Sequence, residues 1–100
     1  MSDQSDPPER LGAELNQGHI NFLRTDLSLC FTFADVAATR LKMGNQESAR
    51  QAIADAEAGY QTLSRFLLDP KHVRHLTDDE IRELTAELRR LRERLDGLQR

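Results

Sequence analysis

Histidine and aspartate side chains near residue 70 are the groups in this chain best suited to hold a metal ion. His72 and His75 form a short imidazole pair, and Asp69, Asp78 and Asp79 lie close to them in sequence. Imidazole nitrogen and carboxylate oxygen are common ligands of transition metals, provided that several of them are fixed in one geometry. Their spacing here matches no established zinc signature.

A third histidine, His19, is predicted to join this group if the chain folds into antiparallel helices. The start of one long helix would then lie at the same end of the molecule as His72 and His75. One interpretation is a small metal- or ligand-binding site formed by these three histidines. The alternative is that all three are solvated, because no helix carries two of them in a fixed arrangement. We adopt the alternative and predict no metal site and no cofactor.

Other arrangements typical of catalysis are not found in the sequence. It contains no glycine-rich phosphate loop, no paired carboxylates on an apolar helix face, and no grouping of nucleophile, histidine and acid. The single cysteine, Cys30, lies in the most apolar stretch and has no basic neighbour at helical spacing, so we predict an inert, buried thiol. We therefore predict no catalytic residue and no enzyme activity.

Arginines between residues 89 and 94 are the only candidates for contacts with phosphate groups. Glu87, Glu93 and Asp96 are interleaved with them, and the chain carries a net charge of −3. This mixture predicts a solvated, ion-paired helix end, so we expect no nucleic-acid partner.

The segment MSDQSDPPER is polar and acidic and leads into no apolar run of signal-peptide or membrane-spanning length. We expect no membrane partner and a cytoplasmic location.

The composition and the spacing of apolar residues predict an all-α protein. Its 38% apolar residues suffice for one small core, and only three prolines and five glycines interrupt the chain. Residues 1–18 are predicted to form a polar N-terminal tail with a possible short helix, which Gly12 and Gly18 weaken and which either stands alone or merges with the next helix. Residues 19–100 are predicted to form a single helical-bundle domain. Within this domain we expect an antiparallel helical hairpin plus a third heptad-patterned helix, as a three-helix bundle that is monomeric or dimeric.

Signals at the helix ends define the predicted hairpin. The first strong helix is expected over residues 19–43, and Gly44-Asn45 suits a left-handed C-terminal cap followed by an N-cap. The second helix is expected over residues 46–68, because Asp69-Pro70 stops it. Short connections of this kind make neighbouring helices antiparallel.

The third helix is predicted to open at Thr77. The run from Thr77 to Glu80 reads as a capping box, with extra acids at the positive end of the helix dipole. Its apolar residues form a strict heptad pattern: Ile81, Leu84, Leu88, Leu91, Leu95 and Leu98. So narrow a pattern is typical of a coiled-coil partner, and it suits packing within the chain or against a second chain equally well.

The first helix carries more apolar residues than one contact surface needs. Beside its core-facing positions lies a second set, here called the stripe: Phe22, Leu29, Phe33 and Val36. Large exposed apolar patches mark interfaces, so we predict that the stripe contacts another copy of the chain or another helical protein. The alternative is that the N-terminal segment, with Leu11 and Leu15 at helical spacing, folds back and covers the stripe.

These observations favour one class of function. We expect a non-enzymatic helical interaction module that acts in oligomerisation or as an adaptor, with the stripe as its contact surface. The alternative is a small metal- or ligand-binding helical protein whose site lies at the end formed by His19, His72 and His75.

Overall fold

The computed structural model of this chain describes the backbone of residues 8–99 and the side chains of residues 20–99. Within that range the protein is helical, and no strand is present. The predicted all-α class is confirmed. The four helices follow in chain order: α1 (Pro8–Lys42), α2 (Gln46–Leu68), α3 (Pro70–Val73) and α4 (Asp78–Leu98).

Helix α1 starts well before the predicted position at His19. It runs without a break from Pro8 through Gly12 and Gly18, so the backbone has no boundary at residue 18. Proline suits the first turn of a helix, and each internal glycine costs only about 1 kcal/mol relative to alanine. Because residues 8–19 continue α1, the alternative in which this segment folds back over the stripe is wrong. Residues 1–7 of the predicted tail lie outside the described residues.

The turn between α1 and α2 forms as predicted. Gly44 adopts a positive φ of 79°, and the backbone N–H of Asn45 donates to the Arg40 carbonyl at 2.9 Å. The Asn45 side chain then accepts a hydrogen bond from the Ser48 backbone N–H at 3.2 Å. Glycine is favoured at this left-handed position because it has no Cβ, and the asparagine caps α2.

One short helix was not predicted from the sequence. Helix α2 ends at Leu68 as expected, but the Asp69 side chain accepts a hydrogen bond from the Lys71 backbone N–H at 2.9 Å and caps α3. Pro70 occupies the first position of α3, where its missing N–H is not needed. The Asp69-Pro70 pair therefore stops one helix and starts the next.

The three long helices share one hydrophobic core. Two leucines from each of them meet at one level of the bundle: Leu23 and Leu27 of α1, Leu63 and Leu67 of α2, and Leu84 and Leu88 of α4. The predicted apolar faces supply most of the buried residues, although Leu41 is exposed. Leu84, Leu88, Leu91 and Leu95 are buried in this core. Helix α4 therefore packs within its own chain.

Two ion pairs show the relative direction of α1 and α4. The Arg24 Nε and Nη2 atoms donate to the two carboxylate oxygens of Glu83, at 3.0 Å each. Arg94 binds Asp35. Each pair joins residues 59 positions apart in the chain. Because this offset is constant, α1 and α4 run parallel and contact each other directly, and α2 runs antiparallel to both.

Candidate functional site

The stripe lies along one side of α1, next to its core-facing residues. Each stripe residue comes directly before a buried one: Phe22 precedes Leu23, Leu29 precedes Cys30, Phe33 precedes Ala34, and Val36 precedes Ala37. Successive helical residues point about 100° apart, so the stripe flanks the core instead of facing it. The fold thus leaves the stripe at the edge of the bundle.

Exposure differs along the stripe. Phe22 is 59% exposed and Leu29 is 50% exposed, whereas Phe33 and Val36 are half-buried. Phe33 also packs against the core. The stripe is therefore an apolar surface whose first half is open to solvent and whose second half is partly supported by its own chain.

A groove separates the stripe from α2 and encloses about 310 Å³. Its α1 wall contains Leu29 and Phe33, and its α2 wall is built from small residues, namely Ala58, Gly59 and Thr62. Small side chains on one wall allow another helix to approach closely. An amphipathic helix that lays its apolar face into a hydrophobic groove is a common mode of protein recognition.

Cys30 forms part of this groove beneath Gly59. A Cβ atom added at Gly59 would lie 2.4 Å from the Cys30 Sγ atom, so the absence of a side chain allows this contact between the helices. The predicted burial of Cys30 is confirmed. Burial raises the pKa of the Cys30 thiol above its usual value, and the nearby charge of Asp26 raises it further. A protonated thiol is a poor nucleophile.

Charged residues lie at the edges of the same surface. Asp26 and Asp55 line the groove from α1 and α2, and the Asp55 carboxylate accepts a hydrogen bond from the Gln51 amide at 3.3 Å. Further along α1, the Arg40 guanidinium donates to the Ser48 hydroxyl. Asp26 and Arg40 were not predicted as members of the site. Asp26 lies seven residues before Phe33 and Arg40 lies seven residues after it, and this spacing identifies them in the sequence.

The side chains around His72 are arranged differently from the metal site considered above. The His72 ring stacks on Phe66 with centroids 3.9 Å apart and an interplanar angle of 16°, and its Nε2 atom lies 3.7 Å from an Asp69 carboxylate oxygen. Among the described side chains, no group of three or more His, Cys, Asp or Glu residues is placed to hold a metal ion. The side chain of His19 lies outside the described residues, so the three-histidine site remains an untested alternative to the predicted absence of a metal site.

The arginines of α4 make contacts within the molecule. Arg90 binds Glu87, Arg94 binds Asp35 of α1, and Arg92 binds Glu57 of α2 and Asp96. The hydrogen bond that Arg92 donates to the Glu57 carboxylate is the main reason why the pKa of Arg92 is raised above its ordinary value. The pairs from Arg94 to Asp35 and from Arg92 to Glu57 join α4 to α1 and to α2, whereas the Arg90–Glu87 and Arg92–Asp96 pairs lie within α4.

A second groove, which sequence reasoning missed, lies between α2 and α4. It encloses about 410 Å³ and is lined by Tyr60, Leu67, Leu68 and Arg92 among others. The Arg92 guanidinium carbon lies 5.1 Å from the centroid of the Tyr60 ring, within the range of a cation–π contact. The signal in the sequence is Tyr60, the one polar aromatic residue at a core-facing position of α2.

In the part of the chain that the structure describes, no helix combines the length and the apolar character needed to cross a membrane. Comparisons of the chain with protein-family models, with curated proteins and with solved structures found no match.

Proposed function

We propose that this protein is a non-enzymatic helical interaction module that works in oligomerisation or as an adaptor. Its contact surface is the stripe, Phe22, Leu29, Phe33 and Val36, together with the adjoining groove. The single observation that supports this most is the exposure of Phe22 and Leu29 on a helix that continues past them instead of folding back.

The free energy of association on this surface comes mainly from apolar burial. Removing apolar surface from water contributes about 25 cal/mol per Å². Large apolar side chains that lie side by side on a monomer surface are typical of interaction sites, whereas isolated ones are common and carry no meaning. Leu29, Phe33 and Val36 lie three and four residues apart on α1 and so belong to the first group, and Phe22 lies two helical turns before Leu29.

The shape of the surface favours a helical partner. The stripe and the small residues Ala58 and Gly59 form a trough that follows the axis of α1. A helix laid in such a trough presents residues three and four apart to it, which is the spacing of Leu29, Phe33 and Val36.

The test compares two leucine substitutions in the full-length chain. Leu29→Asp places a charge in the stripe, whereas Leu68→Asp places the same charge on a leucine that is 82% exposed and lies off the stripe. We expect Leu29→Asp to abolish association, measured by sedimentation equilibrium for self-association and by quantitative affinity capture for other proteins. Leu68→Asp should leave both unchanged.

Helix content and melting temperature of the isolated monomers complete this experiment. Both variants should keep the circular dichroism signal of a folded helical protein. If Leu29→Asp unfolds the monomer, the stripe belongs to the core and the proposal is wrong. Equal association by the two variants would also contradict it.

A further inference from the structure

The stripe belongs to a longer seam on α1 that includes charged residues. Asp26 and Arg40 of α1, and Met43 in the turn that follows it, join the four stripe residues, and together they are spaced alternately four and three apart from residue 22 to residue 43. None of these side chains is buried. At a rise of 1.5 Å per residue the seam is about 32 Å long. This is the pattern of positions a and d in a coiled coil, present a second time on a helix whose first such seam faces the core.

Such a seam requires a partner helix with a seam of the same spacing. The outward faces of α2 and α4 are polar and carry exposed charged residues such as Arg50, Arg65, Arg82 and Glu93. Within residues 20–99, α1 is the helix whose second apolar seam remains open. A second copy of the chain therefore supplies a matching surface of equal length.

The charges on the seam distinguish the two possible directions of such a pair. In a parallel pair, Asp26 would face Asp26 and Arg40 would face Arg40, and like charges placed opposite each other are destabilising. In an antiparallel pair with a central position near Phe33, Asp26 of each copy lies within about one helical turn of Arg40 of the other. Each copy then contributes two complementary charges. Leu29 of each copy then lies near Val36 of the other.

We propose that the seam binds the same seam of a second copy in antiparallel orientation, with Asp26 of each copy paired to Arg40 of the other. This inference rests on the proposed function and adds the identity and direction of the partner. The pairing also seats each α1 beside the small-residue wall of the other copy's α2, and the two hairpins then form a four-helix arrangement.

Charge reversal tests both the partner and the direction. For the wild-type chain, sedimentation equilibrium should give a mass that rises toward twice 11.4 kDa with concentration. Asp26→Arg or Arg40→Asp alone should weaken the dimer about tenfold or more, because two symmetric pairs become repulsive. The double variant Asp26→Arg, Arg40→Asp restores opposite charges in the antiparallel pair only and should recover most of the wild-type affinity.

Matched controls change the same charges elsewhere on the surface. Arg50→Asp on α2 and Glu93→Arg on α4 reverse exposed charges off the seam and should leave the dimerisation constant unchanged. A wild-type chain that is monomeric at every concentration overturns the inference. A double variant that dimerises no better than the single variants also overturns it, because a parallel pair gains nothing from the swap.

The experiments distinguish failure of this inference from failure of the proposed function. A folded monomeric wild type that captures another protein through a surface sensitive to Leu29→Asp overturns only the second copy as partner. If Leu29→Asp unfolds the chain, the interaction surface itself is disproved.

Discussion

Gly59 and Cys30 set the distance between α1 and α2 near the middle of the hairpin. The sequence predicted a buried cysteine, since Cys30 lies in an apolar stretch. It did not predict the importance of Gly59, because a glycine inside a helix looks only like a weakness of about 1 kcal/mol. The partner that makes it useful, the Cys30 Sγ atom, lies far away in sequence and is brought near by the fold.

Gly59→Ala should destabilise the protein despite the better helix propensity of alanine. Its Cβ would lie 2.4 Å from the Cys30 Sγ atom, so the thiol or the helices must shift, at a cost of about 1 to 3 kcal/mol. Urea denaturation measures the change in the free energy of unfolding. Gly97→Ala is the control, because a Cβ there meets no atom within 4 Å and should be neutral or stabilising.

A double variant makes this prediction specific to the contact. In a Cys30→Ala background the clashing atom is gone, so Gly59→Ala should stabilise the protein or leave it unchanged. Equal effects of Gly59→Ala in both backgrounds would show that the cost arises elsewhere.

The beginning of α4 is the element whose local structure follows most directly from sequence. The Glu80 backbone N–H donates to the Thr77 Oγ1 atom at 3.1 Å, and the Thr77 backbone N–H donates to the Glu80 carboxylate at 2.8 Å. Every group in this capping box lies within four consecutive residues. No distant contact is needed to form it, so sequence reasoning could place it.

Thr77→Ala should lower the free energy of unfolding by about 1 kcal/mol, because the Glu80 N–H loses its side-chain partner. Thr85→Ala serves as the control, since Thr85 is exposed within the same helix and alanine has the higher helix propensity. Thermal melts followed by circular dichroism give both values. A smaller loss for Thr77→Ala than for Thr85→Ala would contradict the capping role.

Other helix ends depend on weaker signals. The bounds of α2 were predicted because a glycine turn precedes it and Asp69-Pro70 follows it. The start of α1 was left open between Pro8 and His19 because Gly12 and Gly18 weaken a helix, and the structure shows one continuous helix from Pro8. Helix α3 was missed because a four-residue helix has no periodicity to detect.

At the scale of the whole molecule, ion pairs between distant elements fix how α4 lies on α1. The hydrogen bonds from Arg24 lower the pKa of Glu83 below its ordinary value of 4.5. A carboxyl group whose pKa is lower in the folded protein than in the unfolded chain contributes stability above its unfolded pKa. That contribution is lost as the pH falls through the folded pKa.

Glu83→Gln should therefore destabilise the protein near neutral pH, and the difference from wild type should disappear as the pH falls below the ordinary value of 4.5 and through the folded pKa of Glu83. Urea denaturation at several pH values measures this difference. In an Arg24→Gln background the Glu83→Gln substitution should have no such pH-dependent effect. A difference that persists at the lowest pH, or that survives without Arg24, would exclude the ion pair as its source.

Some features of the candidate site follow from the sequence alone, and others follow only from the tertiary structure. The sequence by itself determined the all-α class, the turn at Gly44-Asn45, the ends of α2, the cap of α4 and the surplus of apolar residues on α1. These depend on local backbone preferences and on helical periodicity, which neighbouring residues encode. Only the tertiary structure decided that α1 continues through residues 8–19, that α4 packs within its own chain, and that Phe22 and Leu29 stay exposed. Each of these depends on which surfaces of distant segments meet, and one heptad pattern is compatible with several such arrangements.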